Sequence, residues 1–167
     1  MHIVPTNVPQ SSLLVRYVDG DNFVDCYTTR VDESVTLERF VRAFYTTRLF
    51  KAERFVLSWI AAKPSSDADV VRLARADTDS FAAWRVEARE ANELLLRDFL
   101  GNTRSWLKCE QDAAGTRLFF GSAVVARSID AQARPVLGWR FRALLGFHRR
   151  YSVALLNAAV KQLARMR

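Results

Sequence analysis

His148 is the side chain in this sequence best suited to proton chemistry, because an imidazole on the apolar stripe of a helix can bind a ligand oxygen or shuttle a proton at neutral pH. The competing reading is a partly buried histidine bonded to a nearby carbonyl or carboxylate, since buried polar groups are normally satisfied. The other histidine, His2, sits at the very start of the chain, and Cys26 and Cys109 have no metal-ligand spacing, so neither a metal site nor a cofactor is expected. Trp84, Trp106, Phe119 and Phe120, with Tyr151, would suit a flat or greasy ligand if they line a pocket, and are plain core otherwise. Arg97 and Arg85 would anchor a carboxylate or phosphate if they point inward. Alternation puts Arg85 and Trp84 on opposite faces, so at most one of those two is inside.

The remaining titratable groups give no reaction. Glu87, Glu90, Glu93 and Asp98 are scattered without the spacing that pairs carboxylates for acid/base work. There is no glycine-rich phosphate loop, no nucleophile elbow and no dinucleotide fingerprint, so the chain carries no catalytic signature and whether it is an enzyme stays open.

Length and composition bound the possibilities. The 167 residues, 50% of them hydrophobic, predict a single domain over 1–167 with a core that needs no disulfides. Two distant cysteines and a start without the charged and apolar segments of a signal peptide lead to a cytoplasmic expectation. No apolar run reaches the roughly 18 residues of a membrane span. The net charge of +7 is concentrated in the tail, where Arg127, Arg134, Arg140, Arg142, Arg149, Arg150, Lys161, Arg165 and Arg167 face Asp130 as the one acid. Such a tail either docks an anionic surface, helped by the alternating rings and guanidiniums of Trp139-Arg140-Phe141-Arg142, or is a solvated helix face lying over the acids of the body.

Those side chains have to be positioned by two contrasting halves. Residues 1–11, with Pro5 and Pro9, read as a loosely held arm. Leu13–Val18 and Phe23–Val31 have strand composition around the turn formers Asp19-Gly20-Asp21-Asn22, which predicts a hairpin or bent edge strand. Acids and hydroxyls at Asp32, Glu33, Ser34 and Thr36 announce a helix carrying Leu37, Phe40, Val41, Phe44 and Tyr45. A break at Thr46-Thr47 is followed by a resumed helical pattern with Phe50, Phe55, Val56 and Trp59. A third helical segment, Ala68–Ala74, follows the cap residues Pro64-Ser65-Ser66-Asp67. From Phe81 to Val125 the period becomes two. Trp84, Val86 and Ala88 alternate with Arg85, Glu87 and Arg89, and three further strands follow over Glu93–Phe99, Arg104–Glu110 and Thr116–Val125, with a possible bulge at Gly121. Connections of two to five residues make these an antiparallel meander. After Pro135, Leu137, Phe141, Leu144, Leu145, His148, Tyr151, Ser152, Leu155, Leu156, Ala159, Leu163 and Met166 form one stripe of a long terminal helix that is basic elsewhere.

This order, a strand pair, short helices, a meander and a long C-terminal helix, resembles the helix-grip fold of the SRPBCC superfamily of START-type lipid-transfer domains and polyketide cyclases. The chain is similar in particular to a bacterial family of small domains of unknown function, through Phe81-Ala82-Ala83-Trp84-Arg85-Val86 with Glu93-Leu94-Leu95-Leu96, through Gly115-Thr116-Arg117-Leu118, and through Leu144-Leu145-Gly146-Phe147-His148-Arg149. The resemblance implies an α+β fold in which an antiparallel curved sheet wraps a long C-terminal helix, with a cavity between them. The leading expectation is therefore a domain binding a small hydrophobic or amphipathic ligand through Trp84, Arg97, Trp106, Phe119, His148 and Tyr151. One alternative is a cyclase- or hydratase-like enzyme with His148 as acid/base and Tyr151 or Arg97 as orienting donor. The other is an interaction module whose basic C-terminal helix docks an anionic surface.

Overall fold

Residues 2–51, 65–125 and 139–166 are described by this computed structural model. Seven antiparallel strands form one curved sheet: β1 (Val4–Pro5), β2 (Phe23–Val31), β3 (Ser80–Phe81), β4 (Trp84–Arg89), β5 (Glu93–Asp98), β6 (Thr103–Asp112) and β7 (Gly115–Val124). Their spatial order is β1-β2-β7-β6-β5-β4-β3, so the first long strand lies beside the last. The short connections of the meander leave β4 to β7 as consecutive neighbours, as their lengths require. Among the described residues the sheet is accompanied by α1 (Leu37–Tyr45), α2 (Asp67–Ala74) and the 27-residue α3 (Trp139–Arg165).

Each short helix begins where a side-chain oxygen can satisfy its unpaired N–H groups. Thr36 Oγ1 accepts from the Arg39 amide of α1 at 3.2 Å. At α2, Ser66 accepts from the Asp69 amide at 3.3 Å while the Asp69 carboxylate accepts from the Ser66 amide at 2.7 Å, a reciprocal box. Thr46 ends α1, and residues 48–51 resume a helical turn, which agrees with the break expected there. The remainder of that expected segment, including Phe55, Val56 and Trp59, lies outside the described residues. The same holds for the loop over 128–134.

The helices cover one face of the sheet. Phe40, Phe44, Tyr45, Leu73, Leu155, Leu156, Ala159 and Leu163 pack there on Tyr27, Leu94, Leu96, Leu107, Leu118 and Phe120. The rings of Phe44 and Phe120 join the layers with centroids 4.7 Å apart. The apolar stripe of α3 is observed from Ser152 to Leu163, and Arg39 ties α1 to its far end by donating to the Leu163 carbonyl at 3.2 Å, a cation at a helix C-terminus.

The opposite face has a core of its own, and the expected loose arm builds it. The arm is held: Val4–Pro5 pairs with Thr28 and Tyr27, and the Thr6 amide donates to the Cys26 carbonyl at 3.0 Å. Proline is tolerated because this is the edge of the sheet. The expected strand at Leu13–Val18 is a 3-10 helix over Leu13–Tyr17. Leu13 and Leu14 are both buried, and two consecutive residues of a surface strand would point to opposite sides, whereas a helical turn seats both against Trp106, Phe119 and Leu95. The turn is tied down by Glu93, whose Oε2 accepts from the Leu13 amide at 2.8 Å and from the Trp106 indole at 2.7 Å. Its far end is held by Tyr17, which donates to Glu87 and accepts from Arg104 Nε at 2.8 Å.

Two further expectations change. Gly121 makes no bulge: it sits in regular register between Cys26 and Trp106. A side chain at that position would place its Cβ 2.5 Å from Leu14 Cδ2 and 3.0 Å from Trp106 Cε3, so the glycine is a notch for the N-terminal turn. The irregularity falls instead between Val86 and Ala88. It shifts the alternation of β4, leaving Trp84 and Val86 on the helix side while Ala88 joins the opposite core.

The notch gives a specific test. Gly121→Ala should cost about 1–3 kcal/mol by overpacking, and Leu14→Ala about 2–5 kcal/mol by leaving a hole. In denaturant titrations the double variant should be clearly less destabilised than the sum, because each change relieves the other. Strict additivity would show that Leu14 is not seated in the notch.

Candidate functional site

Between the helix-covered face of the sheet and the helices lies a cavity of about 350 Å³. Its walls come from α1 and the turn after it (Phe44, Phe50), the start of β4 (Trp84), β7 (Phe120) and α3 (Leu155). The β5–β6 hairpin forms the rim. Asp98 Oδ1 organises that hairpin by accepting from the Asn102 and Thr103 amides at 2.6 and 3.0 Å, and Gly101 supplies the left-handed residue the turn needs at φ 72°. The hairpin thereby holds Phe99 and Leu100 at the mouth, 43% and 53% exposed, which are among the few large apolar side chains left in contact with water.

Polar groups in the wall are few and mostly committed. Tyr45 Oη and Ser105 Oγ share a hydrogen bond at 3.0 Å. Ser122 donates to Asp25 Oδ1 at 2.5 Å and Ser152 donates to Asp25 Oδ2 at 3.3 Å, so a carboxylate on β2 ties β7 to α3 behind the cavity. Trp84 differs: it is 8% exposed, and its buried indole N–H has no hydrogen-bond partner among the described residues. A buried donor left unmade costs about 1–3 kcal/mol, so this indole can be satisfied by an acceptor brought in by a ligand.

The six residues singled out from the sequence separate. Trp84 and Tyr151 both line the cavity, as does Phe120. Trp106 and Phe119 face the other way and pack against each other under the N-terminal turn, with ring centroids 6.0 Å apart. Arg97 is exposed and pairs across the ladder with Arg85 and Arg104, away from the cavity. His148 falls within α3, but its side chain lies outside the described residues, as do those of Trp139, Arg140, Phe141 and Arg142. Sequence reasoning missed Asp25, Ser122, Ser152 and the rim pair. Phe99-Leu100 beside Gly101 was legible as two large apolar residues in a turn; the serines and the aspartate carried no signal, since three strand and helix positions far apart in sequence meet only in the fold.

Among the described residues no group of His, Cys, Asp and Glu side chains is arranged to hold a metal, and no helix is long and apolar enough to cross a membrane. Burial pushes the thiols of Cys26 and Cys109 up to about 12, with the neighbouring Asp25 carboxylate adding to the effect at Cys26. Burial also raises the Tyr27 phenol to about 12, reinforced by Asp25 and opposed by Arg149.

These three groups hold their protons longer when folded than when unfolded. Their contribution to stability is therefore complete below about pH 9, where the unfolded thiols begin to ionise, and is lost as the pH climbs towards 12. Urea midpoints should be flat from about pH 7 to 8.5 and fall above that. A Cys26→Ala, Cys109→Ala double variant should show a shallower fall, and an identical slope would show that the thiols are not the groups involved. No known protein family, curated protein or solved structure matches the chain, so what this site does has to be argued from its own geometry.

Proposed function

We propose that this chain is a helix-grip domain of the SRPBCC type that binds a small hydrophobic or amphipathic molecule in the cavity between sheet and helices. The layout supports the reading: a curved antiparallel sheet with its first long strand beside its last, and a long C-terminal helix lying over β2 and β7. The observation that carries it is an apolar, aromatic cavity of about 350 Å³ with a buried donor at Trp84 that has no partner among the described residues. That volume lies near the lower end of ligand pockets and is equivalent to on the order of a dozen water molecules. It suits a compact ring system or a medium-length chain with one carbonyl or carboxylate oxygen directed at the indole. The exposed Phe99-Leu100 rim provides an apolar path of entry.

The test begins with the protein as purified: extraction and mass spectrometry for a co-purified small molecule, followed by titration with hexanoate, octanoate and decanoate. Burial of each added methylene is worth about 0.8 kcal/mol, so affinity should rise by about fourfold per CH₂ until the cavity is full. Trp84→Phe keeps the ring and removes the N–H, and should weaken carboxylate ligands by roughly threefold to tenfold while sparing an apolar probe such as naphthalene. No co-purified molecule together with no uptake of any chain length would refute the proposal.

A further inference from the structure

A second concave site lies on the other side of the Asp25 partition. This groove, of about 830 Å³, runs between the N-terminal segment, β2 and the described part of α3. Arg149 and Arg150 stand at its α3 side, both exposed, and among the described residues neither makes an ion pair or a hydrogen bond. Asn7 and Gln10 line the facing wall, and Tyr27 lies between, close enough for Arg149 to act on its phenol.

Several arginines elsewhere in the fold are tied to a carboxylate of the body. Arg39 is paired with Glu33, Arg72 with Asp69 and Arg104 with Glu87. The one carboxylate lining the groove, Asp25, is 9% exposed, and both its oxygens accept hydrogen bonds from serines. Among the described residues, two consecutive guanidiniums thus face a partly enclosed space whose one carboxylate is already bonded to serines. They present a double positive charge and several N–H donors, which match a doubly charged tetrahedral oxyanion better than a single carboxylate. The buried Asp25 keeps that anion beside the arginines, and the exposed carboxamides of Asn7 and Gln10 on the facing wall offer both donors and acceptors to its hydroxyl groups.

We infer that this groove binds a hydroxyl-bearing phosphate monoester, with its phosphate on Arg149 and Arg150 and its hydroxyls on Asn7 and Gln10. The site is separate from the apolar cavity and does not depend on what that cavity holds.

Calorimetric titration with glycerol 3-phosphate at low salt, with amide shifts followed at Asn7 and Gln10, tests the proposal. Arg149→Gln and Arg150→Gln should each weaken binding roughly tenfold, whereas Lys161→Gln, the same charge change further along α3, should leave it unaltered. Sedimentation with vesicles of phosphatidylcholine, with and without phosphatidylinositol 4-phosphate, whose headgroup carries both a phosphate monoester and free hydroxyls, distinguishes the source. Binding of glycerol 3-phosphate assigns the groove to a soluble monoester, and arginine-dependent binding of the phosphatidylinositol 4-phosphate vesicles alone assigns it to a lipid headgroup. The inference is overturned if neither ligand binds, if the arginine variants bind as well as the parent, or if Lys161→Gln causes the same loss. Saturating decanoate in the cavity should leave glycerol 3-phosphate binding in place, so failure of one site can be told from failure of the other.

Discussion

Leu94, Leu95 and Leu96 follow one another along β5 and are all fully buried, which a strand achieves only when both faces of its sheet are covered. Much of this structure answers that constraint. The helices cover one face, and the chain has to supply a cover for the other. It does so with residues 2–17, which pair at the sheet edge, cross behind it and set a helical turn over Trp106 and Phe119. Gly121 gives way so that Leu14 can reach the sheet.

Covering the second face buries charge as well as leucine. Glu93 is 1% exposed and Lys108 4%, with Lys108 Nζ 3.6 Å from Glu93 Oε1 and 3.5 Å from Glu110. A buried pair of this kind gains little net stability, because desolvation offsets the attraction. What Glu93 adds is direction: the Leu13 amide and the Trp106 indole both donate to it, fixing where the N-terminal turn lands. The Tyr17, Glu87 and Arg104 cluster fixes the other end, with the Arg104 guanidinium 4.8 Å from the centre of the Tyr17 ring. Polar contacts on this face set register, and the apolar residues between them supply the burial.

On the helix face, Asp25 plays a comparable part with a different outcome. By accepting from Ser122 and Ser152 it closes β2, β7 and α3 together and divides the space beside them into an apolar cavity and a basic groove. One buried carboxylate thus separates two environments suited to different ligand chemistries. The cavity has aromatic walls and a buried indole donor, while the groove has guanidiniums and carboxamides.

The sequence by itself determined the elements whose signals are local. Period-two alternation with short turns specified the meander, hydroxyl and acid caps specified the short helices, and the stripe from Ser152 to Leu163 specified which side of α3 is buried. Local pattern also limits what can share a face: Phe119 and Phe120 are neighbours on one strand, so they cannot both line the same cavity. Only the tertiary structure decided which of them does, because parity relates residues to each other and says nothing about which side the helices will occupy. For the same reason Trp106 and Arg97 went to the opposite face from Trp84. The N-terminal segment was misread because its order comes from partners about 80 residues away, Glu93 among them, and no local window contains them. Distances along the chain conceal such pairings, and burial of both faces of one sheet brings them together.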